Sequence, residues 1–127
     1  MVNIAPEQIV YNKLYDLCVG LGYDVYESVP MHEVKYPFVA LGVQMSQNIR
    51  DNKEDYDKNT QVQIHVFHDS WMRRGTLTTM MHSIERAIVR EFGIRGEDIT
   101  QQIMGDPTNA DIIHGILEPN IQKIKER

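Results

Sequence analysis

The sequence predicts an α+β fold: a mainly antiparallel sheet of four to five strands with two helices packed on one face, in the order α-β-β-β-α-β-β. Two stretches carry apolar residues at helical spacing, one near the start and one past the middle of the chain. Short apolar runs of strand length follow each of them, punctuated by Gly, Pro and polar residues. Consecutive strands with hairpin-like connections favour antiparallel pairing, and helices with one apolar side need a sheet face to lie on.

The first helix is expected from Pro6 to Gly20. Pro6 suits a first turn, where its missing N–H costs nothing. Val10, Leu14, Leu17, Cys18 and Leu21 form the apolar stripe, and Gly20 and Gly22 supply the stop. Tyr23 to Tyr26 is short and β-prone, ending near Val29-Pro30. Tyr36-Pro37 restarts the chain in extended form, because a residue before proline avoids the α region. Phe38 to Val43 then reads as a central strand.

From about 46 to 59 the composition turns polar, which predicts a long hairpin arm or loop. Val62, Ile64 and Val66 alternate with Gln61, Gln63 and His65, so a strand runs from about Thr60 to Phe67. Asp69 or Ser70 can cap the second helix, whose apolar face is Leu77, Met80, Met81, Ile84, Ala87, Ile88 and Phe92. Gly93 ends it. Strands are expected at Ile99–Met104 and Ile112–Leu117. Pro119 implies an edge, a bulge or a terminal helix turn, and a continuing bent strand is preferred.

Length and charge narrow the function. The 127 residues suit one domain, 1–127. No stretch approaches the ~20 apolar residues of a membrane helix. The first residues lack the basic start of a signal peptide, and the single cysteine gives no internal disulfide, so a cytosolic setting is expected. Net charge is −5, and the longest basic block is Arg73-Arg74. Gripping phosphates needs a basic face, so tight nucleic-acid binding is not expected.

Catalytic constellations are missing from the pattern. His65 and His68 stand three apart on a strand and point to opposite faces, while His32, His82 and His114 lie on other elements. No zinc spacing results. Cys18 falls on the buried helix stripe and reads as core filling. Gly20 and Gly22 follow a helix, unlike a phosphate-binding turn, which follows a strand. Acidic pairs such as Glu54-Asp55 and Glu97-Asp98 sit in polar segments, where carboxylates stay ionised and solvated. No enzyme, cofactor or metal site is expected. Trp71, near the second helix start, is either a core anchor or an interface anchor.

Taken in order, Tyr23-Asp24-Val25-Tyr26, Val29-Pro30, Tyr36-Pro37-Phe38-Val39, Gly42, Lys53, Val62 to Phe67, the helix to Phe92 and His114-Gly115-Ile116-Leu117 resemble the tail-terminator (tail-completion) proteins of long-tailed phages. Two positions depart from that pattern: Pro119 interrupts the final strand, and Phe67 stands where tryptophan is common. The resemblance implies a non-enzymatic α+β subunit without cofactor, forming a hexameric ring. Such a ring caps the tail tube, stops its polymerisation and offers the surface for the head. Implied partners are copies of itself, the tail-tube protein and a head-completion protein, with DNA passing through unbound. Its implied place is the host cytoplasm during assembly and then the tail-neck region of the virion.

Within that frame the polar arm, with Arg50, Asp51, Lys53, Glu54, Asp55, Asp57 and Lys58, is the expected contact to a neighbour or to the tube. Other neck proteins, on the head-completion or connector side, fit the same pattern. A small-molecule-binding domain is the reading from a different class.

Overall fold

The computed structural model describes residues 6–28, 30, 33–49, 57–106 and 109–125. Its elements are α1 (Pro6–Gly20), β1 (Val25–Tyr26), β2 (Phe38–Ile49), β3 (Asp57–His68), α2 (Arg74–Phe92), β4 (Ile99–Asp106) and β5 (Asn109–Lys125), with short 3₁₀ turns at Trp71–Arg73 and Gly96–Asp98. One five-stranded sheet has the order β1-β2-β3-β5-β4. Every neighbouring pair is antiparallel except β1 and β2, which run parallel. The expected α+β class and element order hold.

Helix α1 buries Val10, Leu14 and Cys18, a spacing of four that keeps them on one side. Leu17 is only partly buried, and Leu21 is 39% exposed, so the expected stripe is narrower at its C-terminal end. The helix end explains this. The Tyr23 N–H donates to the Cys18 carbonyl (3.3 Å) and the Gly22 N–H to the Val19 carbonyl (2.9 Å). Gly22 has φ 92°, completing a Schellman closure that turns Leu21 outward at the cap.

Helix α2 starts later than Asp69 or Ser70 would place it. The Ser70 hydroxyl accepts from the Met72 N–H (3.1 Å) and caps the 3₁₀ turn, and the α-helix begins at Arg74. Gly93, at φ 67°, ends it as expected. Leu77, Met80, Met81, Ile84 and Ile88 are buried. Burying side chains of this size contributes about 1.5–3 kcal/mol each.

Period-two alternation sorts the strands into two faces. Val39 and Leu41 of β2, Val62, Ile64 and Val66 of β3, Ile99 of β4, and Ile113, Leu117 and Ile121 of β5 share one core with both helices. Gly115 of β5 lies under α2. A Cβ there would overlap the Met81 sulfur and approach Leu77 Cδ2 to 3.4 Å. The opposite face carries a smaller cluster of Phe38, Ala40 and Phe67, with Tyr26, Val34 and Ile112 against it.

The polar stretch expected as an arm or loop is paired at its base. Ser46↔Thr60, Gln47↔Asn59, Asn48↔Lys58 and Ile49↔Asp57 continue the β2–β3 ladder, and positions 50–56 lie outside the described residues. Strand β5 runs through Pro119, as the bent-strand reading expects. Pro119 pairs with Ile99, the first residue of β4, so β5 has no β4 partner beyond it. On its other side the ladder steps from Ile64↔Leu117 to Gln61↔Asn120, and a register shift follows between Lys58 and Thr60. A residue without an N–H is tolerated where the strand becomes an edge.

Candidate functional site

Two surfaces of the sheet are left for contacts: the face turned away from the helices, and the two edges.

The open face carries a row of rings crossing four strands. Tyr26 of β1 meets Phe38 of β2 edge-on (centroids 5.6 Å apart, planes at 87°), and Phe38 stacks on Phe67 of β3 (4.9 Å, 20°). Phe67 stacks in turn on His114 of β5 (4.2 Å, 14°), its partner in register. His65 Nδ1 and His114 Nε2 lie 2.7 Å apart, within hydrogen-bond distance. Further along the same face the Gln63 amide donates to Glu118 Oε2 (3.0 Å). Gly42, at the register shift in the β2–β3 ladder, makes room for this arrangement, since a Cβ there would stand 2.6 Å from His65 Nε2.

At a separation of 2.7 Å the two imidazoles share one N–H. Burial pushes both below the ordinary histidine pKa. His114 falls to about 4, through burial first and then the neighbouring His65, while Asp106 opposes the shift. At neutral pH the pair is uncharged. Below the ordinary value of 6.5 the unfolded chain takes up protons that the folded chain refuses. Stability from this source therefore falls as pH drops from 6.5 towards about 4. His114→Gln is expected to reduce the loss of stability between about pH 7 and about pH 4.5 by roughly 1–2 kcal/mol. Urea unfolding of both chains at the two pH values checks this, and an identical pH dependence would contradict it.

The other singled-out side chains stand apart. His68 is buried on the helix side, opposite His65, with Asp69 Oδ1 2.9 Å from its Nδ1. Cys18 is buried in the core, where burial pushes its thiol up to about 12. Among the described residues no three of His, Cys, Asp and Glu come together to hold a metal ion. Of the polar arm, Arg50, Asp51, Lys53, Glu54 and Asp55 lie outside the described residues, and Asp57 and Lys58 open β3. Trp71 stands 42% exposed in the 3₁₀ turn, beside Met72 at 94%. The His65–His114 contact was not expected from sequence, because it depends on the β3–β5 register.

The edges are unequally protected. Strand β4 pairs with β5 on one side, and no described strand pairs with its other side. Its sequence, Ile99 to Asp106, contains no Lys, Arg or Pro, the residues that usually blunt an edge. Thr100, Gln101 and Gln102 are exposed. At the opposite border β1 covers only Val39 and Ala40, so the outer side of β2 from Leu41 to Ile49 has no described partner.

No protein-family model matches the chain, and no curated protein matches its sequence. A likeness is found among solved structures, in a chain from the virion of a native gene transfer agent (GTA) particle. The two chains superpose with a TM-score of 0.55 at 17% identity, over 84% of each. They share a fold.

Proposed function

We propose that this chain is a structural virion subunit, a tail terminator whose copies close into a six-fold ring on the end of a tail tube. The observation that carries the reading is the match, along 84% of both chains, to a chain found in a virion particle. The ordered resemblance to tail terminators points the same way.

The physics of the edges supports it. A sheet whose borders no described strand covers is a template for further strand pairing. Joining the β4 edge of one copy to the β2 edge of the next makes a head-to-tail contact, and such contacts close into rings when the rotation allows. The ring would stop tube growth and present a second surface to a head-completion protein. A subunit of net charge −5 suits a lumen that DNA must cross without being held. In this reading the chain performs no catalysis and needs no cofactor. It acts in the host cytoplasm during assembly and stays in the neck of the virion.

The arm at 46–59 is assigned to contact with a neighbouring copy or the tube. Deleting Asn48–Asp57 is expected to leave a folded protein that no longer caps tubes, read by circular dichroism and by electron microscopy of tube ends. Unchanged capping would remove the arm from the account. Electron microscopy of head-free tails separates a terminator, which stays on the tail, from a head-completion or connector-joining protein, which does not.

A further inference from the structure

The two helices lie side by side on one face of the sheet, and their outer flanks carry opposite charge. Lys13 of α1 reaches Glu91 of α2 (3.7 Å) and lies over the Phe92 ring, so these sides of the helices face each other. The flank of α1 turned away from α2 stands beside β1. There Tyr11, Tyr15 and Asp16 of α1, with Glu27 just after β1, line a hollow of about 490 Å³. Its described lining holds two carboxylates and no cation. Asp16 and Glu27 are exposed, and both rings are half-buried. Burial first, and then Glu27 and Tyr15, hold the Tyr11 hydroxyl above its ordinary pKa, in keeping with negative surroundings.

The flank of α2 turned away from α1 stands over β4. The Gln101 amide of β4 donates to Glu85 Oε1, and Glu85 borders a second hollow with Arg86, Val89 and Arg90. Both arginines are exposed. With Glu85 taken up by Gln101, the two guanidiniums set the sign of this flank.

The heights of the flanks match. Leu41 pairs with Ile64, Ile64 with Leu117 and Leu117 with Gln101, so Leu41 and Gln101 lie on one line across the sheet. Tyr26 pairs with Ala40, which sets Glu27 next to that line at one border, while Gln101 holds Glu85 on it at the other. Strand β1 covers β2 at Val39 and Ala40, so a neighbour's β4 can meet β2 from Leu41 onward. A repeated head-to-tail contact keeps the helices of every copy on the same face. The α2 flank of one copy then falls beside the α1 flank of the next.

We propose that Arg86 and Arg90 of one copy bind the Tyr11–Tyr15–Asp16–Glu27 hollow of the next. The guanidiniums meet the two carboxylates, and their flat faces lie against the tyrosine rings. Facing charges of this kind chiefly fix which surfaces meet and in what register. A bare strand edge pairs with many partners, so this contact supplies the selectivity that the edges lack. The inference rests on the reading that copies join side by side, and it names the side chains that set the partner.

The test exchanges the charges. Arg86→Glu/Arg90→Glu and Asp16→Arg/Glu27→Arg chains are made and followed by sedimentation, alone and with tail-tube protein. All four positions are exposed, so the fold is expected to survive, which circular dichroism checks. Each chain by itself is expected to need at least about tenfold more protein than wild type to assemble, because like charges then face each other. Mixed in equal parts, the two are expected to assemble at wild-type concentration, since every contact in an alternating ring pairs opposite charges. A chain carrying all four exchanges is expected to assemble alone for the same reason. Wild-type assembly by either doubly exchanged chain alone would overturn the proposal, as would failure of both the mixture and the fully exchanged chain. Rescue by charge exchange in assemblies that never cap tubes would support this contact and remove the terminator reading. Capping rings from each doubly exchanged chain alone would keep that reading and remove this contact.

Discussion

Thr100→Lys/Gln102→Lys is expected to fold like the wild type and to lose ring formation and tube capping altogether. Both side chains are exposed on β4, and neither has a described partner whose loss would unfold the chain. Surface changes of this kind usually alter stability by no more than about 0.5 kcal/mol. Pairing is another matter. A strand laid against β4 would bring its own side chains beside two new ammonium groups, and desolvating those is costly. Thermal unfolding followed by circular dichroism checks the fold, and sedimentation with tube protein checks assembly. Normal rings from the double variant would show that the β4 edge lies outside the contact.

Gly115→Val is expected to destabilise the fold by crowding the contact between β5 and α2. Gly115 lies on central strand β5 beneath α2, where a single Cβ already overlaps the Met81 sulfur. Valine adds two more carbons, stiff about χ1, so the thioether end of Met81 above it has to give way. Overpacking of this kind costs about 1–3 kcal/mol. The same crowding predicts a repair: Met81→Ala destabilises alone by roughly 2–5 kcal/mol, yet costs far less in the Gly115→Val background. Urea unfolding of the four chains gives the coupling. Additive losses would mean that Met81 is not what fills the space above Gly115.

These expectations show how much was legible in the sequence. Val62, Ile64 and Val66 alternate so cleanly that β3 and its buried face followed from spacing, and α2 followed from Leu77, Met80, Met81, Ile84 and Ile88. Those signals are local. Pro119 announced an edge, a bulge or a terminal helix turn but not which, because that depends on β4 ending opposite it at Ile99. The His65–His114 contact joins residues on β3 and β5, two strands apart in sequence, and no spacing rule reaches across that separation. The polarity of 46–59 suggested an arm or loop, yet ladder pairing extends to Ile49↔Asp57, since the ladder is made by backbone N–H and C=O groups that every one of these residues carries. Trp71 was ambiguous for a similar reason, because only the capped 3₁₀ turn before α2 places it outside the core.

On the function proposed above, the edges that no described strand covers are the surfaces at which the chain meets other chains. The most direct test is the absolute mass of the particle in solution, by light scattering, alone and with tail-tube protein. A six-fold multiple of the 14.8 kDa chain on the tube end, formed alone or only on meeting the tube, is the predicted result. A mass that stays at one chain in the presence of tubes, at every concentration tried, would contradict the account at its root.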